Sequence, residues 1–305
     1  MNQDTNFYAP KYWPTWIGIA FLKLLAALPF KAGLRVGRAI GYILYHLIPK
    51  RRRVTETNVK HCFPELSAEE QTRFVKDVFY DNGIGVIESS WTFWGNHKAL
   101  QKRTEFIGFE LLEKALEEKR GIILLGAHYS HTDLGAMLAA SKVPTLVTMY
   151  RRHNNPLMEE TIRTGRISYS KPVERKELRE IVRSLKQNEV VWYGPDQDFG
   201  RKNSIFVPFF GKTAATITAT TKMVRFNNSP ILALYQRRKE DDSGYIVEIA
   251  EVEGFPSGNE IEDAKIMNLA IERGVRKAPT QYMWVHKRFK TQPDGDQALY
   301  KANNC

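Results

Sequence analysis

Cysteine is scarce. The 305-residue chain has 2, Cys62 and Cys305. They lie far apart, form no Cys-x-x-Cys pair and exclude a disulfide framework, which fits a reducing compartment. Long apolar runs are missing too. Thr15 to Phe30 is apolar but for Thr15 and Lys23, and Ala32 to Pro49 is broken by Arg35, Arg38 and His46. Neither reaches the roughly 20 uninterrupted apolar residues of a comfortable membrane span. No small-x-small cleavage site follows a basic amino-terminal region, so a secretory signal peptide is not expected. Internal repeats and low-complexity linkers are absent. Acidic residues are under-represented: 34 Asp+Glu stand against 45 Lys+Arg, a formal charge of +11. That excess favours nucleic acid, anionic lipid, phosphorylated substrates or an acidic protein as partner.

What the chain does have is a 43% apolar fraction, enough for a substantial core. Residues 1–50 read as a hydrophobic helical anchor, either spanning a membrane or lying in its interface. Lys50-Arg51-Arg52-Arg53 follows directly, and such a cluster favours anionic cytoplasmic lipid. Residues 51–105 read as helical, with Ser67-Ala68-Glu69-Glu70 as a capping box opening a helix past Phe79 and Gly83–Trp94 as its companion. From there helices and strands alternate: helix 109–119, strand 121–126, helix 132–141, strand 144–149, helices 156–167 and 175–187, strand 189–194, helix 213–226, strands 230–236 and 244–251, helix 260–277. Alternation of this kind predicts a layered α/β domain.

The segment Gly121-Ile122-Ile123-Leu124-Leu125-Gly126-Ala127-His128-Tyr129-Ser130-His131-Thr132-Asp133 carries the most chemistry. His128 falls at the carboxyl end of a strand, where open α/β sheets bind ligands. Asp133 falls in the first turn of the next helix. A carboxylate there can accept one imidazole proton and leave the other nitrogen basic. Any strand-to-helix turn can hold a His and an Asp, so the spacing alone is a weak signal. A zinc site on His128, His131 and Asp133 would lack a HExxH helix and a cysteine pair. Ser130 lacks a nucleophile elbow.

Three further clusters stand at element ends. Tyr150-Arg151-Arg152-His153-Asn154-Asn155-Pro156, followed by Arg163 and Arg166, offers guanidiniums suited to a phosphate or an oxyanion, or else a solvated basic loop. Gly194-Pro195-Asp196-Gln197-Asp198 ends an apolar strand in a turn with two carboxylates, which otherwise cap backbone N–H groups. Gln281-Tyr282-Met283-Trp284-Val285-His286-Lys287-Arg288 mixes aromatics with cations, as in a nucleic-acid contact or a core segment with snorkelling cations.

Taken in order, Gly126-x-His128-x4-Asp133, Tyr150-Arg151-x-x-Asn154-Asn155-Pro156, Arg163-x-Gly165-Arg166, Pro195-Asp196-Gln197-Asp198, Phe206-Val207-Pro208-Phe209-Phe210-Gly211, Met267-Asn268-x-x-Ile271-Glu272 and Gln281-Tyr282-Met283-Trp284-x-His286 resemble the late (secondary) acyltransferases of lipid A biosynthesis, the lauroyl and myristoyl transferases, over nearly the whole chain. Many members have Glu where this chain has Asp133, and Pro where it has Arg152.

The resemblance implies a glycerophosphate-acyltransferase-like layered α/β sandwich at 51–305 behind the anchor. It also implies transfer of a fatty acyl chain from acyl carrier protein to a hydroxyl of a phosphorylated (Kdo)-lipid A precursor at the cytoplasmic face of the inner membrane. His128 is then the base and Asp133 its orienting carboxylate. Arg151, Arg152, Arg163, Arg166, Asp196 and Gln197 are the expected substrate-binding residues. Neither a metal nor a redox cofactor is implied, nor a nucleic-acid partner. The alternative is a membrane-bound acyl hydrolase or thioesterase using the same dyad with water.

Overall fold

The computed structural model describes residues 6–202, 204–295 and 298–302. The second cysteine of the sequence reading, Cys305, lies outside them; Cys62 is buried and unpaired. The first third is helical: α1 (Trp13–Ala26), α2 (Phe30–Leu47), α3 (Pro49–Cys62), α4 (Ala68–Trp94) and α5 (His97–Gln101). The expected capping box is present. Ser67 N donates to Glu70 Oε2 at 2.8 Å, and Glu70 N donates to Ser67 Oγ at 3.3 Å. The helix it opens does not stop before Gly83: α4 runs 27 residues through it. Gly83 is tolerated because α2 packs there backbone against backbone. A Cβ on Gly83 would lie 2.2 Å from Gly41 N and 2.3 Å from Gly37 O.

The α/β part then follows as β1 (Thr104–Ile107), α6 (Phe109–Glu117), β2 (Ile122–Leu125), α7 (Thr132–Ala140), β3 (Leu146–Tyr150), α8 (Pro156–Ile167), β4 (Lys171–Glu174), α9 (Leu178–Lys186), β5 (Val190–Tyr193), β6 (Ser204–Phe209), β7 (Lys212–Ile217), α10 (Ala219–Asn227), β8 (Ile231–Arg238), β9 (Tyr245–Glu251) and α11 (Glu260–Lys277). Seven strands form one sheet in the order β1-β9-β8-β2-β5-β3-β4. All neighbours are parallel except the β8–β9 hairpin. Central strands β2 (Ile-Ile-Leu-Leu) and β5 (Val-Val-Trp-Tyr) are buried throughout, as a sheet covered on both faces requires. Their side chains alternate between two cores. Ile122, Leu124, Val190 and Trp192 face the core shared with α4, α6 and α7. Ile123, Leu125, Val191 and Tyr193 face the core shared with α9, α10 and α11. The layered α/β expectation is met, with a parallel-dominated central sheet.

Three expectations need correction. Residues 213–226 are not one helix: Lys212–Ile217 is strand β7, paired antiparallel with β6, and the helix begins only at Ala219. The strand starts after a two-residue turn in which Phe210 (φ 51°) and Gly211 (φ 68°) are both left-handed, a geometry that closes hairpins. β1 and β4, at the two ends of the sheet, escape the sequence reading because they are part-exposed edge strands, Thr-Glu-Phe-Ile and Lys-Pro-Val-Glu, without the apolar run that marks β2 and β5. Finally, the hydrophobic helical anchor expected over residues 1–50 is not supported. Among the described residues no helix is long and apolar enough to cross a membrane. The 14 residues of α1 reach about 21 Å at 1.5 Å each, short of an apolar layer of about 30 Å. The longer α2 buries Gly33, Leu34, Gly37 and Gly41 along one side and carries Arg35 and Arg38.

Candidate active site

β2, β3 and β5 run parallel, so their carboxyl ends deliver His128, Arg151 and Asp196 to one rim of the sheet, where ligand crevices form in open α/β folds. Asp196 holds His128 twice. Its Oδ2 accepts from the His128 backbone N at 3.0 Å, and its Oδ1 lies 2.6 Å from His128 Nδ1. An ionised carboxylate only accepts, so Nδ1 carries the proton and Nε2 is left basic. Tyr282, beside them in the same pocket, helps to hold the Asp196 carboxyl down.

Burial of Asp196 (2% exposed) pushes its carboxyl up. The His128 charge and the bonds from its ring and backbone outweigh this and hold the acid down at about 2. The partner shows the reciprocal effect: burial pulls the His128 imidazole down, and Asp196 more than compensates, leaving it above the usual 6.5.

The pocket around the ring is tight. Trp192 meets it edge-on, with centroids 5.8 Å apart. A Cβ on Gly194 would lie 3.0 Å from His128 Cε1 and 3.0 Å from Trp192, so a larger residue where the Gly-Pro-Asp turn passes the imidazole would press on both rings. The loop behind the ring is stitched to the carboxyl-terminal run: Ser130 N donates to Gln281 O at 2.9 Å, and Met283 N to His128 O at 3.0 Å. Tyr282, Trp284, Arg288 and Phe289 of that run are buried. Its aromatics are core and backing for the site.

Asp133 stands elsewhere than expected. It accepts from Arg166 Nε at 2.7 Å and Nη2 at 3.1 Å, and from the Tyr169 hydroxyl at 2.8 Å. The sequence reading made Asp133 the orienting carboxylate; in the structure His128 Nδ1 is bonded to Asp196, and Asp133 reaches the imidazole only through space, its charge still helping to raise it. The reason is valence. A bidentate guanidinium and a phenol leave Asp133 little capacity for a further donor. Burial raises the Asp133 carboxyl, but Arg166 and Tyr169 bring it below the ordinary value.

The other expected residues divide. Arg166 lies over the Tyr150 ring at 5.4 Å. Arg151 and Gln197 line a cavity of about 110 Å³ with His128, Trp192, Tyr193 and Phe199. This opens into a chamber of about 740 Å³ that shares Met149, Arg151, Arg175, Tyr193, Gln197 and Phe199. Arg163 is turned to Glu160 on its own helix, at 3.3 Å, and Arg152 is exposed, so neither is brought to the imidazole.

His131, weighed as a zinc ligand, is 1% exposed and lies beside Glu88. Burial and the Arg238 charge push it down to about 3, which keeps it neutral. It is braced within a buried network in which Arg238 bonds both Glu88 and Asp81, and Tyr245 donates to Glu88. Gln236 Nε2 donates to its carbonyl at 3.2 Å, fixing the turn that carries His128. Among the described residues no three His, Cys, Asp or Glu side chains converge as metal ligands.

Tyr169 and Tyr282 were not singled out as site residues from the sequence. Asp196 was, but for substrate binding; its place after an apolar strand in a Gly-Pro turn was the available signal that it faces the same rim as His128.

The model of the family described as bacterial lipid A biosynthesis acyltransferase matches residues 1–291. The lipid A biosynthesis lauroyltransferase of Escherichia coli K12 is 35% identical over 300 residues, spanning 97% of this chain and 98% of the relative. The palmitoleoyltransferase of the same strain is 36% identical over 298 residues and 97% of both chains. The myristoyltransferase is 25% identical over 304 residues, 99% of this chain and 94% of that one. A histidine held by a buried carboxylate at the mouth of a basic, partly apolar chamber suits such chemistry, and the chain belongs to the bacterial lipid A biosynthesis acyltransferases.

Proposed function

We propose that this acyltransferase takes a fatty acyl chain of the lauroyl or myristoyl class from acyl carrier protein. It places the chain on a hydroxyl of a phosphorylated lipid A precursor at the cytoplasmic face of the inner membrane. The observation that carries the mechanism is the 2.6 Å contact between His128 Nδ1 and Asp196 Oδ1, with Nε2 left for the acceptor. The acceptor hydroxyl gives its proton to Nε2 as its oxygen attacks the thioester carbonyl. The C–O bond forms, the tetrahedral intermediate collapses, the C–S bond breaks, and the imidazolium returns the proton to the departing thiolate. Asp196 fixes the tautomer and stabilises the imidazolium. The acceptor is itself the nucleophile, so no acyl-enzyme is needed.

Asp133 acts through Arg166. Held by two bonds and backed by Tyr169 and Tyr150, the guanidinium is a pre-positioned charge for the oxyanion or for an acceptor phosphate. Arg151, in the same cavity as His128, is the second such cation, and Gln197 supplies an amide beside it. Arg152 and Arg163 serve the outer acceptor.

Membrane contact is interfacial in this reading. Trp13, Ile17, Phe21 and Leu24 on α1 and Tyr42, Ile43 and Leu47 on α2 are exposed. Lys50–Arg53 follows in sequence, a pattern of helices lying in the headgroup plane.

The test is an assay with purified enzyme, acyl carrier protein thioester and lipid A precursor, read by mass spectrometry of the glycolipid. The expected product carries one added acyl chain, and His128→Ala abolishes it. Release of free fatty acid at an unchanged rate without acceptor would make the chain a thioesterase and overturn the proposal.

A further inference from the structure

We infer that the outer rim of the large chamber, built by Arg175, Lys176, Lys202 and Lys222, is the docking surface for an acidic protein that carries the acyl thioester. The inference rests on the donor reading above and assigns it a surface.

The first observation is charge left over. Arg175, Lys176, Lys202 and Lys222 all line the chamber and are exposed. Among the described residues none of the four pairs with a carboxylate. Neighbouring cations behave differently: Arg183 and Lys171 share Glu180. The one carboxylate among the described residues lining the chamber is Asp198. It is spent on Thr291 N at 2.7 Å, Thr291 Oγ1 at 3.0 Å and Gly200 N at 2.8 Å, with Lys290 alongside at 3.9 Å. An unneutralised ring at the mouth of a cavity concentrates an anionic partner and speeds its arrival.

Second, the rim is not purely polar. Leu178 opens α9 beside Lys176 and is 53% exposed; Phe226, on the same face of α10 as Lys222, is 54% exposed. Aromatic and aliphatic anchors among cations are what a protein interface offers. A phosphate alone has no use for them.

Third, the rim stands apart from the lipid-facing side. The exposed aromatic helix α1 is tied to the start of α8, where Asn155 Nδ2 donates to Thr15 Oγ1 at 2.9 Å. The rim is instead built by the turn before α9 (Arg175, Lys176), the turn before β6 (Lys202) and α10 (Lys222), and α9 and α10 cover the other face of the sheet. Two substrates must meet at His128, and the two sides give each its own approach. The chamber between rim and imidazole, about 740 Å³, is within the size range of sites that enclose an extended ligand, as a thioester arm requires.

The test compares wild type with Lys176→Glu/Lys202→Glu/Lys222→Glu, using three readouts. These are KM for acyl carrier protein thioester, turnover of a short acyl-pantetheine thioester that has no protein attached, and KM for the glycolipid acceptor. Thermal melting checks the fold. The expected result is a rise of about tenfold or more in KM for the carrier-bound donor, with pantetheine turnover and acceptor KM unchanged. The salt dependence seen with carrier protein in wild type should flatten in the variant. A rise in acceptor KM instead would assign the rim to the phosphorylated lipid and overturn the inference. So would equal loss with both donors, or no change with either. A wild-type enzyme that takes no acyl group from carrier protein refutes the donor reading itself, before any variant is made.

Discussion

Replacing Asp196 by asparagine keeps the size of the side chain and removes its charge. In the native protein the carboxyl sits at about 2 against an ordinary 3.8, although burial opposes its ionisation. At about 1.4 kcal/mol per tenfold, that difference corresponds to about 2 kcal/mol of net stabilisation of the ionised form, with His128 as the main source. Losing the Asp196 charge removes the main support of the imidazolium that the step builds. The amide adds a second fault. Its NH₂ can donate to Nδ1, which moves the ring proton to Nε2 and leaves no base toward the substrate. Together these predict a fall in kcat of about 10²- to 10⁴-fold.

The pH profile gives the discriminating assay. His128 must be neutral to act, so activity rises with pH through the imidazole pKa, which stands above 6.5 in the native protein because of Asp196. In Asp196→Asn the residual activity should rise at lower pH, since burial still lowers that pKa and the main opposing charge is gone. A kcat within a few-fold of wild type and an unmoved limb would refute the reasoning. A larger loss and a moved limb in Asp133→Asn would return the orienting role to Asp133.

For Asp133 itself, Asp133→Glu should retain more activity than Asp133→Asn, because a carboxylate can still take both Arg166 nitrogens; the reverse order in kcat would show that Arg166 does not depend on that charge. Gly83→Ala should cost about 1–3 kcal/mol by overpacking, since the new methyl meets backbone atoms of Gly37 and Gly41 at 2.2–2.6 Å; an unchanged melting temperature would contradict the tight α2–α4 contact. Asp196 is depressed on folding, so its stabilising effect is complete above about pH 4 and is lost as pH falls toward 2; acid titration should show wild type losing more stability over that window than Asp196→Asn. Replacing Trp13, Ile17 and Phe21 by serine should reduce sedimentation with anionic vesicles, and high salt should extract the wild type in part; full binding by the variant in high salt would place membrane contact elsewhere.

Local chemistry was legible along the chain wherever a signal is carried by a few neighbouring residues. Ser67 and Glu70 announce the start of α4 because both partners of the capping box lie within one turn. The apolar runs of β2 and β5 mark strands buried on both faces, and a histidine or aspartate just beyond each is then placed at the ligand rim. The family, too, is written in ordered short motifs. What the chain could not express was pairing across distance. Asp133 is 5 positions from His128 and Asp196 is 68 away, yet the sheet order sets β2 beside β5 and brings the distant carboxylate to the ring. The nearer one is drawn to Arg166 and Tyr169, which α8 and the turn after it carry in. Likewise Lys212–Ile217 became a strand because β6 was there to pair with it, and α1 and α2 became surface helices because α4 covers only one side of them. Each outcome depends on which surfaces meet after collapse, and that is decided by packing and by the satisfaction of buried polar groups.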